Sequence, residues 1–225
     1  VASQAVFAGM PDEGLAFLED LEERNTKEFF DANKQVFREQ VQAPFAALLD
    51  AASGRLRRSV PGLGQPKVFR IYRDLRFSKD KTPYKTSMRA WMAHPSPGGV
   101  ETGYYVDVGP SGMYAGGGRY HWARPELERL RAAVADPDAG QELARILRRA
   151  AGKGMETWLD PLQRMPKPYP ADHPRAELLR ARSLTLGRQR ERGPWLLTGE
   201  LLDHLAEDWR ALVPLNRWLE RLPEP

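Results

Sequence analysis

The chain has 225 residues, of which 41% are hydrophobic and 9% aromatic, with 19 Gly, 19 Pro and no Cys. That length and composition exclude a disordered chain and are enough to bury a core, while the lack of cysteine excludes disulfides, thiol nucleophiles and zinc thiolates. The net charge of +4 is unevenly placed: residues 55–89 hold 11 Lys/Arg against 2 Asp/Glu, and residues 1–54 hold 4 against 10, an asymmetry that bears on partners rather than on fold.

The first twenty residues include Asp12, Glu13, Glu19 and Asp20, unlike a secretory leader. No apolar run approaches the roughly 18 residues of a membrane span. The expectation is a cytoplasmic single domain over residues 1–225 with no membrane partner. A first helix is predicted from Asp12, with Leu15, Leu18 and Leu21 at helical spacing. Asn25 and Glu28 form the pattern of a capping box for a second helix burying Phe30, Phe37, Val41, Phe45 and Leu48. Pro44 predicts a kink or break near Ala43. The Gly- and Pro-rich stretch SGRLRRSVPGLGQP then reads as a loop.

Four strands follow, near residues 67–77, 87–94, 103–108 and 112–117. In the first, Phe69, Ile71, Leu75 and Phe77 alternate with Arg70, Tyr72, Asp74 and Arg76, which predicts one buried face. SKDKTPYKT breaks the pattern and reads as a loop. GYYVDVGPSGMYAGGGRY is the clearest hairpin, turning at Gly109–Gly112. Pro125 starts a helix with Leu127, Leu130 and Val134 inward, and Leu143, Ile146 and Leu147 mark the next. Asp172 is the expected cap of PRAELLRAR. A C-terminal helix runs from Thr198 with Leu201, Leu205, Trp209 and Leu212 inward, and Pro214 is expected to begin a last short helix. Helices before and after a strand cluster imply an α+β fold, with one mostly antiparallel sheet packed against N-terminal and C-terminal helices.

RIYRDLRFSKDKTPYKT at 70–86 resembles the family called Domain of Unknown Function 2461. FAGMPDEGLAFLEDLEERNTKEFFDANKQVF near the start, GYYVDV, AGGGRY and YPADHPRAELLRARS are similar to its other blocks in the same order, so the likeness covers nearly the whole chain. Two departures are AGMP, where a Phe before the Pro is usual, and Arg182, where Lys is. The resemblance implies one domain about as long as this chain and implies no activity; the cofactor is left unknown.

The basic segment is the candidate site. Arginine forks grip phosphate or carboxylate oxygens in pairs, and lysine adds point charge. The expected ligand is therefore a small, phosphate-bearing anion, held by Arg70, Arg73, Asp74, Arg76, Lys79, Lys81, Tyr84 and Lys85. Arg73 has a second reading, half-buried against Glu28 or Asp31. Nucleic acid ranks lower, because the alternation turns Phe69 and Phe77 inward and no recognition motif is present. A structural role is the other alternative, with the acidic first 54 residues lying over the basic strand.

The remaining motifs are weaker. Asp74 and His173 are the only candidates for a catalytic base. Ser78 and Lys81 make an S-x-x-K without the companion motifs of acylating enzymes. Gly116, Gly117 and Gly118 match no phosphate-loop spacing and are expected at a bulge or bend. His94, His121, His173 and His204 make no metal-ligand pair. The six tryptophans, at 91, 122, 158, 195, 209 and 218, are spread as core and interhelix packing residues usually are.

Overall fold

The computed structural model describes residues 7–76, 79–94 and 101–222. Helix α1 (Asp12–Glu23) buries Leu15, Leu18 and Leu21. Gly14 lets it approach the following helices closely, since a Cβ there would lie 2.1 Å from the Gln40 carbonyl oxygen. Helix α2 (Lys27–Ala32) is capped by Thr26, whose hydroxyl accepts from the Phe29 N–H at 3.2 Å. The capping box expected at Asn25 does not form, because that amide bonds a distant part of the chain. A short turn α3 (Lys34–Val36) leads through a π-helical segment, Phe37–Gln42, into α4 (Ala43–Arg57). This is how the break predicted near Ala43 is realised. The Ala43 N–H donates to the Arg38 carbonyl, five residues back, and the register shifts just before Pro44, which has no N–H to give.

The sheet is built from β1 (Lys67–Val68), β2 (Met88–His94), β3 (Thr102–Gly109) and β4 (Gly112–Arg119). Helices α5 (Arg124–Ala135) and α6 (Pro137–Ala151) follow, then β5 (Glu156–Trp158), α7 (Ala176–Leu179), β6 (Leu184–Glu191) and α8 (Glu200–Glu220). All strand pairs are antiparallel, in the order β1-β2-β3-β4-β6-β5. The hairpin predicted at Gly109–Gly112 is present, those two residues facing each other across the turn. The α+β architecture stands, with two strands, β5 and β6, beyond those expected.

Helix α8 crosses β3, β4 and β6. It seals one face of the sheet, where Met92, Val106, Ala115 and Leu186 are fully buried beneath Leu201, Leu205, Trp209 and Leu212. Inside this layer Asp208 accepts two bonds from the Arg190 guanidinium, at 2.7 and 2.8 Å. Among the described residues, no helix is long and apolar enough to cross a membrane.

Three local expectations are corrected. The strand expected over 67–77 pairs with β2 only at Lys67 and Val68, with one further bond from the Phe69 N–H to the Arg89 carbonyl. The chain then leaves the sheet and pairs with its own return: Arg73 N–H donates to Pro83, Lys85 N–H donates to Ile71, and Tyr72 bridges Tyr84. Detached from the sheet, the segment has no core side over its full length. Ile71 is buried, whereas Phe69 is 38% exposed; Phe77 and Ser78 lie outside the described residues. Asp172 does not cap α7. Arg175 holds that position, and its N–H donates to His173 Nδ1 at 3.0 Å. Pro214 starts no new helix but lies inside α8. It sits at an exposed position, as does Arg210, whose carbonyl it leaves without a helical partner.

Candidate functional site

The loop over residues 71–85 is held by the N-terminal helices, but not by their carboxylates. The Asn25 side-chain amide reaches across 59 residues to bond both backbone groups of Tyr84, donating to its carbonyl at 3.1 Å and accepting from its N–H at 2.9 Å. The Tyr84 ring stacks on Phe30, with centroids 4.3 Å apart and planes at 14°, and is buried. The acids of this region pair elsewhere: Asp20 with Arg24, Asp31 with Lys27, and Glu19 with Arg192. The alternative reading, with acids of the first 54 residues lying over the basic segment, is not what fastens the loop; an amide clamp and an aromatic stack do. Arg73 pairs not with Glu28 or Asp31 but with Asp80 of its own loop, at 2.6 Å.

Where this loop meets β2, a cavity of about 420 Å³ forms. Arg73, Asp74, Tyr84 and Lys85 of the sequence-predicted set line it, together with Glu22, Asn25, Asp80 and Arg89. Arg70 instead borders a second hollow beside Phe30 and Phe37. Arg76, Lys79 and Lys81 border neither; Arg76 pairs with Asp74 at 2.6 Å, and Lys81 donates to the Leu75 carbonyl. The set is thus divided, and Arg89, the last residue of the basic segment, joins the cavity.

The charges within the cavity differ in how they are held. Arg73 is tied to Asp80 and Thr82, and Arg89 to Asp107 at 2.8 Å and Ser87. Lys85 has no such anchor: its ammonium donates to two neutral acceptors, the carbonyls of Arg70 and Tyr72. Burial, and then the charges of Arg89, Arg70 and Arg73, push its pKa below the usual lysine value. Asp74 is held below the ordinary carboxylate range by the Arg76 side chain and N–H, which makes it a poor proton acceptor. His173 serves the turn before α7 and does not line the cavity, so of the two candidate bases only Asp74 is there, paired with Arg76. No group of His, Asp and Glu among the described residues is arranged to hold a metal ion.

Arg89 also borders a larger hollow, which sequence reasoning missed. The face of the sheet not covered by α8 forms a groove of about 830 Å³, lined by Arg89, Trp91, Tyr105, Tyr114, Tyr120, Glu156 and Trp158, with Gly116 and Gly187 in its floor. Trp91, Tyr105, Gly116, Gly187 and Glu156 are successive cross-strand partners over β2, β3, β4, β6 and β5. Burial and the Asp107 charge raise the Tyr105 pKa well above its ordinary value, so its hydroxyl stays protonated. The spread of tryptophans expected in the core therefore divides. Trp209 and Trp218 are buried, while Trp91 and Trp158 border the groove. The glycines expected at a bulge or bend lie in β4 with its pairing unbroken, and of the three Gly118 alone takes a positive φ, of 114°. Gly117 sits directly under Leu212 of α8, and Gly116 under the Tyr114 ring.

The sequence model of the family described as "Conserved hypothetical protein (DUF2461)" matches residues 13–218. No curated protein and no solved structure matches the chain.

Proposed function

Because the chain belongs to the DUF2461 family of conserved hypothetical proteins, whose description assigns no activity, we propose from its geometry that it binds a small phosphate-bearing anion in the cavity of Arg73, Lys85 and Arg89. Lys85 carries the reading. It is a half-buried ammonium beside three arginines, and two of its three donors are taken by carbonyls. An anion placed there gains a charge-assisted hydrogen bond and relieves the repulsion among the cations. Arg73 and Arg89 are already oriented by Asp80 and Asp107, so little side-chain entropy is lost when they turn a second edge to the ligand.

Titration with inorganic phosphate and pyrophosphate, followed by calorimetry and thermal shift, tests this. Hydrogen bonds to charged groups contribute about 1.5–3 kcal/mol, so Lys85→Met is expected to weaken binding by roughly ten- to a hundredfold. Lys79→Met, in the same loop but outside the cavity lining, is the control and should leave binding intact. Absence of binding by the wild type, or equal losses in both variants, overturns the proposal.

A further inference from the structure

Two aromatic rings of the groove, Tyr114 and Trp91, are seated on glycine backbone rather than standing away from it. A Cβ built on Gly187 would lie 1.9 Å from the Tyr114 hydroxyl oxygen and 2.4 Å from its Cζ, and one built on Gly116 would lie 3.0 Å from Tyr114 Cε1. The Tyr114 ring therefore lies across two glycines on neighbouring strands. Trp91 does the same over Gly103, where a Cβ would fall 2.2 Å from its Cζ2. A ring laid on backbone in this way has one face covered by the sheet and the other turned to the cavity. Tyr114 accordingly remains 36% exposed although it sits in the middle of the sheet. Side chains fixed like this offer preformed π faces, and a flat heteroaromatic ring stacks on them with little ordering cost.

The groove and the anion cavity share one residue, Arg89. Arg89, Asp107 and Tyr114 are cross-strand partners in one row, which places Tyr114 two strands, or about 10 Å, from Arg89. A ligand with a planar ring at one end and a phosphate at the other spans that distance. At the far side of the groove stands the carboxylate of Glu156, which repels any second phosphate carried along the sheet.

We propose that the paired cavities form a site for a free nucleoside monophosphate, its base stacked on Tyr114 and its phosphate held by Arg89 and Lys85. This rests on the anion cavity proposed above and adds the identity of the ligand. A neutral sugar would leave the cations unused, and a nucleic-acid strand would run its backbone into Glu156.

The test is a calorimetric series on the intact chain with AMP, ribose 5-phosphate, adenosine, inorganic phosphate and a 5′-phosphorylated tetranucleotide. AMP is expected to bind about tenfold tighter than ribose 5-phosphate, the gain that one stacked base provides. Tyr114→Leu should remove that gain and leave ribose 5-phosphate unchanged, whereas Tyr114→Phe, which keeps the ring, should retain it. If AMP binds no better than ribose 5-phosphate or phosphate, the nucleotide assignment falls and the anion cavity stands. If adenosine matches AMP and Lys85→Met changes nothing, both readings fall. Much tighter, steeply salt-dependent binding of the tetranucleotide overturns the free-nucleotide assignment in favour of a strand. The wild-type comparison of AMP with ribose 5-phosphate decides the matter even if Tyr114→Leu does not fold.

Discussion

On one face of the sheet Met92, Val106, Ala115 and Leu186 are sealed beneath α8, while their strand neighbours Trp91, Tyr105 and Gly187 open onto a groove. Both faces use glycine to bring atoms close, but against different things. On the covered side Gly117 makes room for Leu212 of a helix, and on the open side Gly187 makes room for the Tyr114 ring of the sheet itself. Charge is handled differently too. Beneath α8, Asp208 is buried and satisfied by Arg190 within the protein. On the open side and its adjoining cavity, Arg89 and Lys85 keep partial exposure and incomplete partners. Period-2 alternation lets the same strands serve as scaffold and as surface.

The largest expected effect lies on the covered side. Asp208→Ala leaves the largely buried Arg190 guanidinium with Glu207 as its remaining carboxylate partner, and removing one partner of a buried pair costs about 3–5 kcal/mol. Chemical denaturation should show that loss, while phosphate affinity of the still-folded fraction stays unchanged. A loss under about 1 kcal/mol would mean that Arg190 finds water or Glu207 alone sufficient, and the contrast between the faces would weaken. Glycine substitutions divide the faces at smaller scale. Gly14→Ala drives a methyl into the Gln40 backbone, which cannot move without shifting a helix; an overpacking loss of about 1–3 kcal/mol is expected. Gly187→Ala meets only the outer end of the Tyr114 ring, and alanine is the better strand residue by roughly 0.5–1 kcal/mol. Its stability should stay near wild type while Tyr114 lifts from its seat, seen as faster nitration of that tyrosine by peptide mass analysis.

How much of this was legible in the sequence follows from which signals are local. The hairpin at 109–112 and the helical stripes are read from neighbours in the chain, and both are in the structure. Strand β6 was missed because its covered side runs Leu184, Leu186, Arg188, Arg190. Two arginines on the inner face break the apolar alternation, and Asp208 and Glu207 of α8 come to meet them. Asn25 reads as a helix cap, yet its amide bonds Tyr84, 59 residues away. The aromatic groove was hidden for a related reason. Trp91, Tyr105, Tyr114 and Trp158 come from four strands, and only the register of the sheet brings them to one face. Of the predicted anion site, half lines the cavity. The segment folds back on itself, so that its even-numbered side chains do not share one surface.

The smallest expected effect tests how the sheet is fastened to α8 at its edge. His94, at the end of β2, contacts the Glu220 carboxylate through Nδ1 at 2.5 Å and the Pro61 carbonyl through Nε2 at 2.9 Å. Two acceptors need two N–H donors, and only the protonated ring has both. Burial works against that charge, as Arg217 does to a lesser degree, but the bonds to Glu220 and Pro61 prevail and raise the pKa above its ordinary 6.5. A raised pKa in the folded state means that the contribution to stability is complete below pH 6.5, where both states are protonated. It then declines as pH climbs through the folded-state pKa. The gap in melting temperature between wild type and His94→Gln should accordingly be widest near pH 5.5 and narrow steadily above neutrality. A gap that grows with pH would show the ring to be neutral in the fold, leaving the open edge of the sheet joined to α8 through Thr102 and Glu220.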